Sequence, residues 1–215
     1  NGKCLEWQPD AKWLVVEVDN YIDLGGEVKF ERGNVVYCGD RAGAVAILQE
    51  VYPDAAVVGG TATVGDYGKA TVGDYGKATV GDYGTAMVGY YGVATVGDYG
   101  KATVGDYGKA TVGDCGTVTA GYHGIATAGD CGIATAGDLG TVMAGDLGTA
   151  TVGDYGTATV GNYGTATAGD WGTIQIHYYD SNGRDRIKTG YIGEDGLLPN
   201  VPYKLDGNHN FVRVG

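Results

Sequence analysis

A mainly β fold is predicted: a β-solenoid with a small α+β cap at its amino-terminal end and a β-hairpin cap at its carboxy-terminal end. Three observations predict it. One octapeptide is written fourteen times without a gap over residues 61–172. Glycine fills its fifth and eighth positions in every copy, and its second and fourth positions hold only Ala or Val. Self-similarity at a short fixed period marks a solenoid, because a single repeat cannot bury its own apolar face and must stack on its neighbours.

Residues 1–60 read as the first cap. Residues 13–19 alternate apolar and polar side chains as a strand does, and a second apolar run, Val35, Val36, Tyr37 and Cys38, ends at Gly39 and Asp40. Asp40 is placed to cap a helix over residues 41–51, where Ala42, Ala44, Val45, Ile47 and Leu48 recur at helical spacing before Pro53 stops it. Residues 55–60 then feed the first coil. An open solenoid end exposes unpaired backbone and apolar interior, so covering it is the physical task of such a unit.

Within the array, residues 61–172, each octad reads as a four-residue strand and a corner. The first position takes Thr, Lys, Val or Ile, a mixture suited to solvent, while the small apolar second and fourth positions share the inward face. Where the second position grows to Val, at Val118 and Val142, the fourth is Ala120 or Ala144, as a tight interior that conserves volume requires. The two glycines are read as sharp turns at either end of a Gly-Asp-aromatic-Gly corner. Two octads close one sixteen-residue coil, giving seven coils that rise about 4.8 Å each, for a rod of about 34 Å. Cys115 and Cys131, sixteen residues apart, then stack on adjacent coils. Their spacing allows a disulfide or two thiols filling an aromatic slot.

Residues 173–215 read as the second cap. Residues 173–179 alternate, residues 180–183 form a turn, and residues 184–192 return; residues 203–205 and 211–214 make a second hairpin around Asp206, Gly207 and Asn208. Pro199 and Pro202 lie between the hairpins, where they remove no ladder bond.

Composition narrows the function classes. The 42 glycines are periodic, so they do not signal disorder. The net charge of −12 falls on residues 1–60, with five basic and ten acidic side chains, and on the array, with four and eleven; residues 173–215 balance at five each. Such a surface repels nucleic acid, so direct binding to it is not expected. The four cysteines have no CxxC spacing and no paired histidines, so no zinc site is expected. No phosphate loop and no nucleophile at a recognisable distance from His123, His177 or His209 is present in the text, so neither a cofactor nor an enzyme is expected. The chain opens on Asn1, as a fragment or processed chain would, and shows no secretory signal and no eighteen-residue apolar run. A cytoplasmic protein without a membrane span is the expectation.

Three outward columns are candidate binding surfaces. A dimer ladder is formed by Tyr67, Tyr75, Tyr83, Tyr91, Tyr99 and Tyr107, which a sixteen-residue coil divides between two edges, with rings stacked at the coil spacing. Exposed, it would suit a protein partner or the pairing of two rods; otherwise the rings merely seal a thin core. An acidic ladder is formed by Asp66, Asp74, Asp82, Asp98, Asp106 and Asp114. The plain reading is that Asp suits the turn and hydrogen-bonds nearby amides. Calcium is disfavoured, since one Asp per octad supplies too few oxygen ligands. Mimicry of nucleic acid falls short in charge density, for duplex DNA would carry about 20 charges over this length.

The array resembles the octapeptide-based repeats of bacterial ice-nucleation proteins, which also combine Ala-Gly corners, a Tyr column and Thr-x-Thr steps. The matching steps here are Thr117 with Thr119, Thr149 with Thr151, Thr157 with Thr159, and Thr165 with Thr167, with Thr61 and Thr63 at the start. The resemblance implies a solenoid and a candidate ice-binding face made of those eight later threonines. Lys69, Lys77, Lys101, Lys109, Met87 and Met143 interrupt such a lattice, and β-branched residues suit exposed strands in any case. Nucleation itself is disfavoured, because the resembling proteins use far longer arrays. The Gly-Asp-Tyr-Gly repeats, with the tail at residues 173–179 and 193–196, are also similar to uncharacterised repeat proteins of bacteria and their phages. That context keeps open an acidic inhibitor of a nucleic-acid enzyme. The sequence as a whole predicts a non-catalytic scaffold or binding protein, with ice binding and such mimicry as alternatives.

Overall fold

The computed structural model describes residues 12–23, 28–52 and 59–214. The predicted feed into the first coil over residues 55–58 lies outside them, as do Cys4 and Pro53.

Residues 61–168 form fourteen four-residue strands at eight-residue intervals, from β5 (Thr61–Val64) and β6 (Lys69–Val72) to β16 (Thr149–Val152), β17 (Thr157–Val160) and β18 (Thr165–Ala168). Every strand pairs in parallel with the strand sixteen residues away, as Lys101 with Thr117 and Thr149 with Thr165. Odd and even strands therefore build two facing sheets, and one coil holds two octads as the sequence predicts. The interior is Ala and Val from the second and fourth positions; from Ala70 to Ala168 every one of them is buried.

Corners join the sheets along two edges. The first edge carries the corners at Tyr67, Tyr83 and Tyr99, and the second those at Tyr75, Tyr91 and Tyr107. The glycines do not turn the chain in the way the sequence reading supposed. In all fourteen corners the left-handed residue is the seventh, with φ between 53 and 59° at Tyr67, Cys115, His123, Leu139, Trp171 and their counterparts. A hydrogen bond from Gly68 N to Gly65 O, 3.2 Å, closes the corner, so positive φ falls at the third residue of the turn, where glycine or asparagine is usual. The glycines are required for space instead. A methyl on Gly81 would strike the Asp66 carboxylate and backbone of the coil below, and one on Gly68 would strike Val64.

Strand β19 (Thr173–Tyr179) continues the ladder as a further rung on β17 and places larger side chains inside, with Ile174 and Ile176 fully buried. The predicted hairpins follow. Strand β20 (Asp185–Tyr191) runs antiparallel to β19, while β21 (Tyr203–Leu205) joins β18 and pairs with β22 (Phe211–Arg213). Ile192, Leu197 and Tyr203 complete the core at this end.

Ahead of the array in the chain, β1 (Trp13–Glu17) pairs antiparallel with β4 (Asn34–Gly39), and α1 (Arg41–Val51) packs on both. Asp40 caps the helix by accepting from Gly43 N at 2.8 Å, as predicted. A short pair that the sequence does not announce, β2 (Ile22–Asp23) with β3 (Val28–Lys29), comes between β1 and β4 in the chain. In β5, Ala62 and Val64 are only half-buried, unlike their counterparts in later coils.

Candidate functional site: the two edges of the solenoid

Each edge is built by the corner. The backbone amide of the seventh residue donates to the sixth carbonyl one coil on, as from Tyr67 N to Asp82 O, 2.8 Å. The sixth amide of that coil in turn donates to an Asp Oδ1: Asp82 N to Asp66 (3.0 Å), Tyr90 N to Asp74 (2.8 Å), Asp98 N to Asp82 (2.9 Å), Asp114 N to Asp98 (2.8 Å) and Tyr122 N to Asp106 (2.9 Å). Asp114 serves Asp130 N likewise. The predicted acidic ladder is therefore a row of inter-coil fasteners. The amide it satisfies lies sixteen residues away rather than in the same turn, and one carboxylate oxygen of each is committed to it.

The tyrosines stack as the sequence predicts, in two columns. On the first edge Tyr67, Tyr83 and Tyr99 follow at 5.1 and 5.0 Å between ring centres, within 8° of parallel. On the second, Tyr75, Tyr91 and Tyr107 follow at 5.4 and 5.0 Å, and His123 continues the stack at 5.2 Å. These rings do not seal the core, which the glycines and small side chains already close; Tyr67 is 75% exposed and even Tyr107 is 40% exposed. Holding a side chain in the left-handed region costs about 1–2 kcal/mol. Where the seventh residue is aromatic, a stacked ring returns about 0.5–1.5 kcal/mol, and the inter-coil hydrogen bonds of the corner also offset the strain.

The edges differ at the sixth position. On the second edge Tyr90 and Tyr122 replace Asp and lie edge-on against the stack, Tyr90 at 4.5 Å from Tyr91 and 5.5 Å from Tyr107, Tyr122 at 4.5 Å from His123. Loss of water among these rings, with a hydrogen bond to Tyr91, pushes the Tyr90 phenol up to about 12. The sequence shows both residues as exceptions to the Asp column, but only the sixteen-residue register puts them on one edge. On the first edge the column passes from Tyr99 to Cys115 and Cys131, exposed free thiols. Tyr99 is raised above the usual phenol value first by charge on Cys115, and Cys131 above the usual thiol value first by desolvation.

The threonines proposed for ice do not form one face. Thr117, Thr119, Thr149, Thr151, Thr165 and Thr167 lie on the even-numbered sheet, with Ile133 and Thr135 between the first and second pairs. Thr157 and Thr159 lie on the opposite sheet, where the Thr159 hydroxyl donates to Gln175 at 3.0 Å.

One feature escaped the sequence reading. His177 on β19 meets the Asp185 carboxylate on β20, Nδ1 lying 3.1 Å from both oxygens, and His209 stacks on Tyr178 at 4.0 Å. An open cleft of about 300 Å³ runs past His177, Tyr179 and His209. No group of three metal-ligating side chains occurs among the described residues, and no helix there is long and apolar enough to cross a membrane.

Neither a family model, nor a curated protein, nor a solved structure matches the chain.

Proposed function

We propose that the protein is a non-catalytic scaffold that associates with itself through its tyrosine columns. The observation that carries this reading is the exposure of regularly stacked rings along edges whose core is closed without them. Exposed aromatic strips with hydroxyl tips join apolar area to hydrogen bonding, the combination enriched at interfaces. Sedimentation equilibrium of the full chain tests it. Concentration-dependent dimerisation is expected, weakened when ladder tyrosines on both edges become Asn, a residue that tolerates the left-handed corner. A chain that stays monomeric at every soluble concentration refutes the reading.

Ice binding is a second reading, favoured by the in-register pairs Thr149 with Thr165 and Thr151 with Thr167 on one sheet. Thermal hysteresis and crystal shaping, abolished by Thr151→Lys, would establish it. Unshaped crystals from folded protein would dismiss it.

A further inference from the structure

Edges that carry a carboxylate on every coil repel their own copies, so the places where that column breaks bear on how two chains could meet. On the first edge it does not break from Asp66 through Asp82, Asp98, Asp114 and Asp130 to Asp146. On the second edge it alternates: Asp74, Tyr90, Asp106, Tyr122, Asp138. Tyr90 and Tyr122 lie beside the stacked column and widen it from one ring to two.

We propose that the second edge, over the four coils from Asp74 to His123, is a self-complementary seam on which a second copy of the chain docks antiparallel. This rests on the self-association proposed above and names its edge, direction and register. In an antiparallel pair the two-fold axis lies in the seam, across the rods, so it reverses the order of coils and leaves sideways position unchanged. Sixth residues then face sixth residues, and seventh face seventh.

With the axis midway between the coils of Tyr91 and Tyr107, Tyr90 faces the second copy's Asp106, and Asp74 faces the second copy's Tyr122. Symmetry repeats both pairs, so four phenols meet four carboxylates. In the seventh column Tyr91 faces the second copy's Tyr107, and Tyr75 the second copy's His123, ring against ring throughout. Each carboxylate spends Oδ1 on the amide of the next coil, Tyr90 N for Asp74 and Tyr122 N for Asp106, which leaves its other oxygen to accept from a phenol. The Tyr90 phenol is protonated, hence a donor, across the physiological range with or without its upward shift, and on docking it turns from Tyr91 to the second copy's carboxylate.

The same operation on the first edge sets Asp against Asp at every level from Asp66 to Asp146, and like charges brought together oppose docking. A parallel pair sets sixth residues against seventh on either edge and makes no use of Tyr90 or Tyr122. Complementarity of donor and acceptor therefore selects the second edge and the antiparallel direction, and the seventh column selects the register: an axis one coil further on also sets Tyr122 against the second copy's Asp106 and Tyr90 against its Asp138, but it puts Tyr91 on Leu139 and Asp74 on Asp154.

Two experiments test the seam. Tyr90→Asp with Tyr122→Asp restores the residue that the other copies carry, and offers an acceptor to the amides of Asp106 and Asp138, so folding is retained. Sedimentation should show the dimer weakened by about 100-fold, while Tyr83→Asn with Tyr99→Asn on the first edge leaves it within about twofold. For register, Cys4, Cys38, Cys115 and Cys131 are changed to Ser, and Tyr75→Cys and His123→Cys are made separately, since the seventh position accepts cysteine elsewhere and in the seam each lies opposite the other but three coils, about 14 Å, from its own counterpart. A short bis-maleimide should join one variant to the other at least about tenfold faster than either to itself. Dimers that cross-link Tyr75→Cys to itself as fast as to His123→Cys, or that depend on Tyr83 and Tyr99, overturn the seam and leave self-association standing. A monomeric native chain removes both.

Discussion

The two ends of the solenoid solve the same problem unequally. At the carboxy-terminal end the interior widens from Ala and Val to Ile174 and Ile176, and reversed strands bring Ile192, Leu197 and Tyr203 over the opening. At the amino-terminal end Ala62 and Val64 remain half-buried, and among the described residues β5 and β6 are the outermost strands of their sheets. Lys69 projects from β6, a charge that discourages further strands from adding to an exposed edge. A tube filled by methyl and isopropyl groups has too thin an interior to close itself, so closure comes from larger side chains on chain that changes direction.

Substitutions at the two ends turn this contrast into measurable differences. The largest effect is expected at the closed end, where Ile174→Ala or Ile176→Ala should cost about 2–5 kcal/mol by chemical denaturation, against roughly 1 kcal/mol or less for Val64→Ala. Equal losses would mean that the amino-terminal segment seals its end just as well. Next in size is Gly81→Ala, where the added methyl must displace the Asp66 carboxylate and backbone of the adjoining coil; about 1–3 kcal/mol is expected. Asp98→Ala should be milder, quickening exchange of the Asp114 amide, which it alone accepts from through Oδ1, without changing the global midpoint greatly. Hydrogen exchange should also be fastest in the first coil and slowest near β17 and β19; a uniform profile would erase the distinction between ends.

Acid provides the smallest test. Asp180 is held below its ordinary value of 3.8, first by the Arg184 amide and then by the Asn182 amide and Arg186; the Asn210 amide lowers Asp206 in the same way. A depressed carboxyl stabilises the fold fully above its unfolded value and loses that contribution as pH falls through the folded one. The β19–β20 and β21–β22 turns should therefore loosen only below about pH 3.8. Carboxyl titration by NMR with midpoints at or above the ordinary value would contradict this.

Much of this architecture is legible in the text because the period is local. Alternating Ala and Val at the second and fourth positions fix the inward face, and Cys115 with Cys131 suggests the sixteen-residue coil that the parallel register shows. The corner was legible only in part. Invariant glycine is compatible with either conformational freedom or lack of space, and only coordinates show that Gly81 abuts Asp66 while Tyr83 takes the left-handed turn. The acceptor role of Asp was legible but its partner was not, since that amide is remote in sequence. Residues 173–176 hid a further rung because Ile174 and Ile176 break the Ala and Val rule that identifies the others. His177 and Asp185 meet across a hairpin that carries no motif.

The sixteen-residue linkage between corner carboxylates and amides also governs how such a gene could lengthen or shorten. Loss or gain of two octads returns every later residue to the sheet and edge it left, so array length is free to vary in whole coils. A single octad is different. It would carry Tyr90 and Tyr122 to opposite edges if removed between them, and would move β19 and β21 onto each other's sheets if removed just before Thr173. Copy-number change in this array should be tolerated by parity, with even steps neutral to the fold and odd steps costly at both the seam and the closed end.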